Sequence, residues 1–210
     1  VGTSAGLDRF DVESKQFQHF SPPQSVGGVH SISSLMQDHR GNIWLSSFDA
    51  GLQRLDPATG QFTRYSRSED DPASLGNNKV SVVFEDSAQR VWVGHDGGLS
   101  LFSWASGTFQ TYVHDRTRAS SLAENTVRAI SEDRNGLLWI GTDNHGASRW
   151  NSRSWALGHR IPTWLPEASM INAFADAEAG GLWIGTALDW NNEQWTLPQA
   201  QGWQYPQLPR

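Results

Sequence analysis

Ser121-Leu-Ala-Glu-Asn125-Thr-Val127-Arg-Ala-Ile130-Ser-Glu-Asp133-Arg-Asn-Gly136-Leu-Leu-Trp139-Ile-Gly141-Thr142 decides how this chain folds. A short apolar run, Val127–Ile130, leads into Glu132-Asp133. A turn signature follows, and a second apolar run is built around Trp139. Both runs are too short for helices and carry β-branched and aromatic residues. They read as two strands joined by the Asp133–Gly136 turn. The pattern recurs at Asp38-His-Arg-Gly41-Asn-Ile-Trp44-Leu45, at Asp86-Ser-Ala-Gln-Arg-Val-Trp92-Val93, and, weakened, at Ala179-Gly-Gly181-Leu-Trp183-Ile184. The steps from Trp44 to Trp92 to Trp139 to Trp183 are 48, 47 and 44 residues.

More than the tryptophan repeats. Gly51-Leu52 and Gly98-Leu99 open a third strand, and Phe62-Thr-Arg-Tyr65 and Phe109-Gln-Thr-Tyr112 form a fourth. The linkers agree as well, since Tyr65 to Val80 and Tyr112 to Val127 are both steps of 15 residues, through Ser74-Leu75 and Ser121-Leu122. Each unit is therefore an apolar strand A ending in Glu-Asp, a strand B around the Trp, a strand C from Gly-Leu, and a strand D of the form Phe-x-x-Tyr. Four short strands per 40–50 residues is the spacing of a β-propeller blade, and such blades bury their faces by stacking on one another. The fold class expected is all-β: a β-propeller of four-stranded antiparallel blades, with four to five blades visible in residues 1–186. The opening Val1-Gly2-Thr3 matches Ile140-Gly141-Thr142, so the first tryptophan would sit just before residue 1. That count favours a piece of a larger propeller; pairing with a second copy, as a homodimer, is the alternative. Residues 187–210 lack the Gly-Leu of strand C and read as a degenerate last blade or irregular tail.

Asp38, Asp86 and Asp133 are expected to accept backbone N–H groups in the A–B turn, with glycine supplying a left-handed residue. The four tryptophans are expected to fill gaps between blades. Gly41 and Gly136 have no counterpart in the second repeat, where Gln89-Arg90 stands, and the aspartate slot before Trp183 holds Ala177.

The units resemble the two-component regulator propeller repeat. Ser121–Trp150 matches the pattern well, as do Ser74–Phe102 and Ser31–Asp56, and the resemblance covers about residues 1–186. The resemblance implies the periplasmic sensor of an inner-membrane receptor, whose kinase or diguanylate cyclase output lies in another domain. It also implies ligands such as glycans or their breakdown products, with no catalysis in the propeller itself.

Composition narrows the partners. A formal net charge of −6 with no basic stripe excludes the phosphate-tracking surface of a nucleic-acid binder. No run of 18 apolar residues is present, so membrane contact would come only through segments outside this chain. The chain contains no cysteine, which excludes disulfides and thiolate metal sites and suits a cytoplasm or a periplasm. No cofactor motif or dense His spacing is present, and no metal is expected.

Propeller geometry puts the B–C turns and the entrances to strand A on one face. The B–C turns read Ser46-Ser-Phe48-Asp49-Ala50, His95-Asp96-Gly97 and Thr142-Asp143-Asn-His145. The entrances add His30, Lys79, Asn125, Arg128 and Asn172. Ligand-binding candidates are Asp49, His95, Asp96, Asp143, His145, Lys79, Arg128 and Asn172, with Phe48 as a platform for a sugar ring. They suit a small polar ligand or an oligosaccharide. Plain turn chemistry explains the same Asp, Asn and Gly residues. An enzyme reading would need two converging carboxylates, for which Asp49, Asp96 and Asp143 are the serial candidates. Glu85-Asp86 and Glu132-Asp133 are neighbours on a strand and point to opposite faces. A protein-binding scaffold is the third reading, favoured by Trp104, Trp155, Trp164, Trp190, Trp195 and Trp203 outside the repeat slots.

Overall fold

The computed structural model describes residues 2–3, 6–21, 32–48, 50–151, 156–160, 170–177 and 181–187. Seventeen strands and no helix lie among them. The chain folds as two compact units, Val1–Tyr112 and Val113–Arg210.

The first unit holds three sheets. β1 (Gly2–Thr3), β2 (Gly6–Phe10) and β3 (Phe17–Phe20) form a three-stranded sheet in chain order. β4 (Ile32–Gln37), β5 (Ile43–Ser47), β6 (Gly51–Asp56) and β7 (Gln61–Tyr65) form a four-stranded one. β8 (Val80–Glu85), β9 (Val91–His95), β10 (Gly98–Ser103) and β11 (Thr108–Tyr112) form another. The second unit holds the four-stranded sheet of β12 (Val127–Glu132), β13 (Leu137–Thr142), β14 (Ala147–Asn151) and β15 (Ala156–Arg160). The pair β16 (Met170–Ala177) and β17 (Gly181–Ala187) also lies there. All pairings are antiparallel between consecutive strands. The sheets are propeller blades, and the A, B, C and D strands fall where the repeat puts them.

Blades stack chiefly through their inner strands, β4 on β8 in the first unit and β12 on β16 in the second. In the first unit Trp44 of β5 and Leu52 of β6 are fully buried against Val80, Val83, Val91, Val93 and Phe102 of the next blade. In the second, Trp139 of β13 packs with Ile171, Phe174, Leu182 and Ile184 of β16 and β17. Burying a tryptophan removes roughly 250 Å² from water, an upper figure of about 6 kcal/mol, so one such residue dominates a seam between two small sheets.

The tryptophans of three repeats are also hydrogen-bonded. The indole Nε1 donates to Asp38 Oδ2 from Trp44 at 2.7 Å, to Asp86 Oδ2 from Trp92 at 2.8 Å, and to Asp133 Oδ2 from Trp139 at 3.0 Å. The other carboxylate oxygen holds the A–B turn. Asp38 Oδ1 accepts from Arg40 N and Asn42 N, both at 2.9 Å, and Asp133 Oδ1 from Asn135 N at 2.8 Å and Leu137 N at 3.1 Å. The Asx turn is as the sequence reads; the indole bond is an addition. Gly41 and Gly136 take φ of 85° and 76°, and Gln89, in the same slot, is forced to 62°.

One expectation fails. Trp183 is 42 % exposed rather than sealed between blades. The indoles of Trp44 and Trp139 are covered by the next blade, and none follows β17 among the described residues.

Candidate functional site

In the four blades whose strand A is described, strand A begins beside the end of strand B, so the A entrance and the B–C turn share one edge. Ile32 pairs with Ser47, Val80 with His95, Val127 with Thr142 and Ile171 with Thr186. One residue later the register slips in all four blades, at Ser33, Ser81, Arg128 and Asn172. Two residues of strand A there oppose one of strand B. Such bulges re-aim a side chain at a sheet end, and here they do so at the same place in each blade.

The bulge residues have different fates. Ser33 Oγ donates to Val80 O at 2.8 Å and meets Ser46 Oγ at 2.9 Å, stitching one blade to the next. Ser81 is buried and Asn172 is exposed. Arg128 reaches the B–C turn of its own blade as a fork: Nε lies 3.2 Å from Asp143 Oδ1 and Nη2 lies 3.4 Å from Oδ2. Both side chains stay 22 % exposed.

Asp96 is the structural equivalent of Asp143. Its backbone N–H donates to Lys79 O at 3.1 Å, as that of Asp143 donates to Thr126 O at 3.0 Å. Asp96 has its own cation, Lys79, with Nζ 3.9 Å from Oδ2. Next to Asp143, His145 is 62 % exposed, with Nδ1 3.5 Å from Glu124 Oε2. Glu124 also accepts from Asn144 N at 2.7 Å. Glu124 escaped the sequence reading because it lies in the linker, and only its contacts with Asn144 and His145 mark it as part of the turn.

The structure thus joins Lys79 with Asp96, and Arg128 with Asp143. Asp49 and His30 lie outside the described residues. By strand pairing Phe48, not Asp49, stands where the next two blades put Asp96 and Asp143, directly after Ser47, His95 and Thr142. Phe48 is 47 % exposed. Its turn ends on Gly51, whose N–H donates to Asn78 O at 3.0 Å beside Lys79. The Phe48 turn and the Asp96 turn therefore flank the Asn78-Lys79 entrance on its two sides.

His95 points elsewhere. It is fully buried, its Nε2 2.7 Å from Ser100 Oγ, and its Nδ1 accepts from Gly97 N at 3.1 Å. Burial pushes its pKa down to about 4. Ser47 Oγ accepts from Ala50 N and Thr142 Oγ1 from His145 N in the same slot, both at 3.3 Å. The position is a turn latch. Asn125 is another internal tie, its Oδ1 accepting from His114 N at 2.6 Å, as Asn78 Oδ1 accepts from Arg67 N at 2.8 Å. Among the described residues no group of three or more His, Asp or Glu side chains is placed to hold a metal ion.

Residues 27–49 and 121–144 match the family model for the two component regulator propeller. Over these residues two of the blades resemble the two component regulator propeller repeat. An 88-residue stretch of these repeats is 31 % identical to Histidine kinase P4 of Formosa agariphila, covering 40 % of this chain and 6 % of that protein. The repeats superpose on the extracellular domain assigned to a hybrid two component system of B. thetaiotaomicron with a TM-score of 0.70 and 24 % identity, over 90 % of this chain and 24 % of that one. A second B. thetaiotaomicron extracellular domain, assigned to a one component system, gives 0.64 and 22 %, over 91 % and 33 %. Virginiamycin B lyase of Staphylococcus aureus gives 0.63 and 15 %, over 87 % and 57 %. The repeats span a small part of the first two-component relatives, and likeness at these identities establishes the propeller fold.

Proposed function

We propose that this chain is the ligand-sensing, non-catalytic propeller of a periplasmic receptor, reading a polar small molecule or a glycan on the face of the A entrances and B–C turns. The observation that carries the reading is the cation–carboxylate pair that recurs at this edge of a blade within each unit, Lys79–Asp96 in the first and Arg128–Asp143 in the second, each partly open to solvent. An arginine–carboxylate fork offers donors and acceptors in fixed directions, the chemistry that reads neighbouring hydroxyls of a sugar. Phe48 beside the Lys79 entrance adds an apolar surface for a ring face.

The repeat family, the histidine kinase relative and the extracellular domains among the similar structures support the receptor reading, with the output in another domain. The lyase likeness is one of fold, and fold does not carry function.

Thermal shift and calorimetry against soluble oligosaccharides, with sugar acids and amino acids as controls, test the reading. A ligand at a hundredfold excess over its Kd raises stability by about 2.7 kcal/mol. The expected result is a dose-dependent shift with one glycan class, abolished by Asp96→Ala or Arg128→Ala. A folded protein that shows no shift with any sugar, or a shift both variants retain, overturns this site.

A further inference from the structure

Two arginines of the blade β4–β7 meet one tryptophan of the blade β8–β11. The guanidinium carbons of Arg40 and Arg54 lie 4.1 and 5.6 Å from the centre of the Trp104 ring. Arg54 also lies 5.7 Å from the Trp44 ring and 5.9 Å from that of Tyr65. Arg40 belongs to an A–B turn and Trp104 to a C–D turn. The cluster therefore sits at the edge of the two sheets away from the A entrances and B–C turns. Arg40 is exposed, and Arg54 and Trp104 are partly so.

Donors crowd this cluster and acceptors are scarce. An arginine lying over a ring keeps its N–H groups in the guanidinium plane, free to grip an oxyanion from the side. Among the described residues no carboxylate forms an ion pair with Arg40 or Arg54, and Arg54 donates no hydrogen bond. Arg40 Nε donates to His39 Nε2 at 3.3 Å, and the other ring nitrogen of His39 lies 2.6 Å from Glu85 Oε1. Asp56, two residues beyond Arg54 on β6, turns its oxygens to Ala58 N and Thr59 Oγ1, both at 2.9 Å. Trp104 Nε1 is buried without an acceptor, unlike the indoles of Trp44, Trp92 and Trp139.

Packing alone explains Arg54, the cross-strand partner of Trp44, as Arg149 is of Trp139. It does not explain the other two. Ala88 and Asn135 stand where Arg40 does in the next two repeats, and Pro57 stands where Trp104 does in the repeat before. We propose that Arg40, Arg54 and Trp104 form a ligand site of their own for a small oxyanion: a carboxylate, sulfate or phosphate group. The anion bridges two guanidiniums that otherwise repel one another, in the fork geometry that arginine offers such groups. Arg40 and Trp104 come from different blades, so the bound anion also braces the seam that Trp44 fills.

The test reads the indole N–H signals of the full chain by nitrogen-edited NMR. Trp104→Phe, which keeps a ring in place, identifies the signal of Trp104. Sodium phosphate, sulfate and acetate are titrated against chloride at matched ionic strength, which separates a bound anion from general screening. The expected result is a saturable shift of the Trp104 signal by at least one oxyanion and none by chloride. The anion that binds most tightly identifies the group the ligand carries. Arg40→Gln is expected to weaken that binding by roughly tenfold or more, the worth of one charge-assisted hydrogen bond. The remaining indole signals report that this variant is folded. No saturable shift with any of the three oxyanions, an equal shift with chloride, or a shift that Arg40→Gln retains overturns the proposal.

Discussion

The indole of Trp44 donates its N–H to the buried carboxylate of Asp38, 2.7 Å away and six residues earlier in the chain. The same bond ties Trp92 to Asp86 and Trp139 to Asp133. One carboxylate thereby closes the A–B turn and orients the side chain that seals the seam. The aspartate belongs to the packing of the blade as much as to its turn.

Asp38→Ala therefore strips acceptors from Arg40 N, Asn42 N and the Trp44 indole together. The buried indole N–H left unsatisfied costs about 1–3 kcal/mol and the half-buried turn amides add less, so a loss of about 2–3 kcal/mol is expected. Denaturant titration checks it. Asp38→Asn, which keeps one acceptor oxygen, should lose less than half as much. A surface-like loss below about 0.5 kcal/mol for the alanine variant would show that these hydrogen bonds have no energetic weight.

Gln89 stands with φ of 62° where Gly41 and Gly136 take the same left-handed turn. A non-glycine residue there carries about 1 kcal/mol of strain, partly offset because glycine gains freedom in the unfolded chain. Gln89→Gly is expected to stabilise the protein by about 0.5 kcal/mol. Gly136→Ala should destabilise it by a similar amount, and the pair of measurements checks the conformation from both sides.

These residues also show what a sequence can and cannot convey. The Asp, Trp and Gly-Leu signals act locally, through turns and strand alternation, so spacing alone gives the blades. The bulges at Ser33, Ser81, Arg128 and Asn172 depend on how two strands align, and nothing in strand A announces an extra residue. His95 and Asp96 are neighbours in a polar turn, but the alternation of a strand sends His95 inward to Ser100 while Asp96 stays at the surface. Composition carries no register, and only pairing shows that Phe48 follows Ser47 as Asp96 follows His95.

The latch role of His95 sets a pH dependence. Its folded pKa is depressed to about 4 by burial, against an ordinary value of 6.5. The unfolded chain binds the proton first, so His95 contributes full stability above about pH 6.5, and this is lost as pH falls towards 4. A shift of that size corresponds to about 3 kcal/mol as an upper figure. The turn aspartates Asp11, Asp56 and Asp115 are held below their ordinary value of 3.8 by hydrogen bonds from Ser14, Ala58 and Thr117, so their share is lost only in stronger acid. Urea titrations at pH 7 and pH 4.5 should differ markedly in the native chain. In His95→Thr, which copies Thr142, the difference should shrink; an unchanged difference would place the titrating group elsewhere.

Gly141 marks how closely the blades of the second unit approach. A Cβ built there would lie 2.7 Å from Ile171 Cγ2 and 2.9 Å from both Ile171 Cβ and Ile171 O. Ile171 is the fully buried first inward residue of strand A in the next blade, so it has nowhere to retreat without moving that strand. Gly141→Ala is expected to cost about 1–3 kcal/mol through overpacking. Gly185, the equivalent position in the next blade, has a wider gap: its nearest contact is Ala173 Cβ at 3.3 Å. Gly185→Ala should therefore cost clearly less than Gly141→Ala. Hydrogen exchange on β16 and β17 distinguishes the cause. If seam contact is the reason, Gly141→Ala accelerates exchange in those two strands before it affects β4–β7 in the other unit, whereas uniform acceleration would mean that the substitution acts on global stability instead.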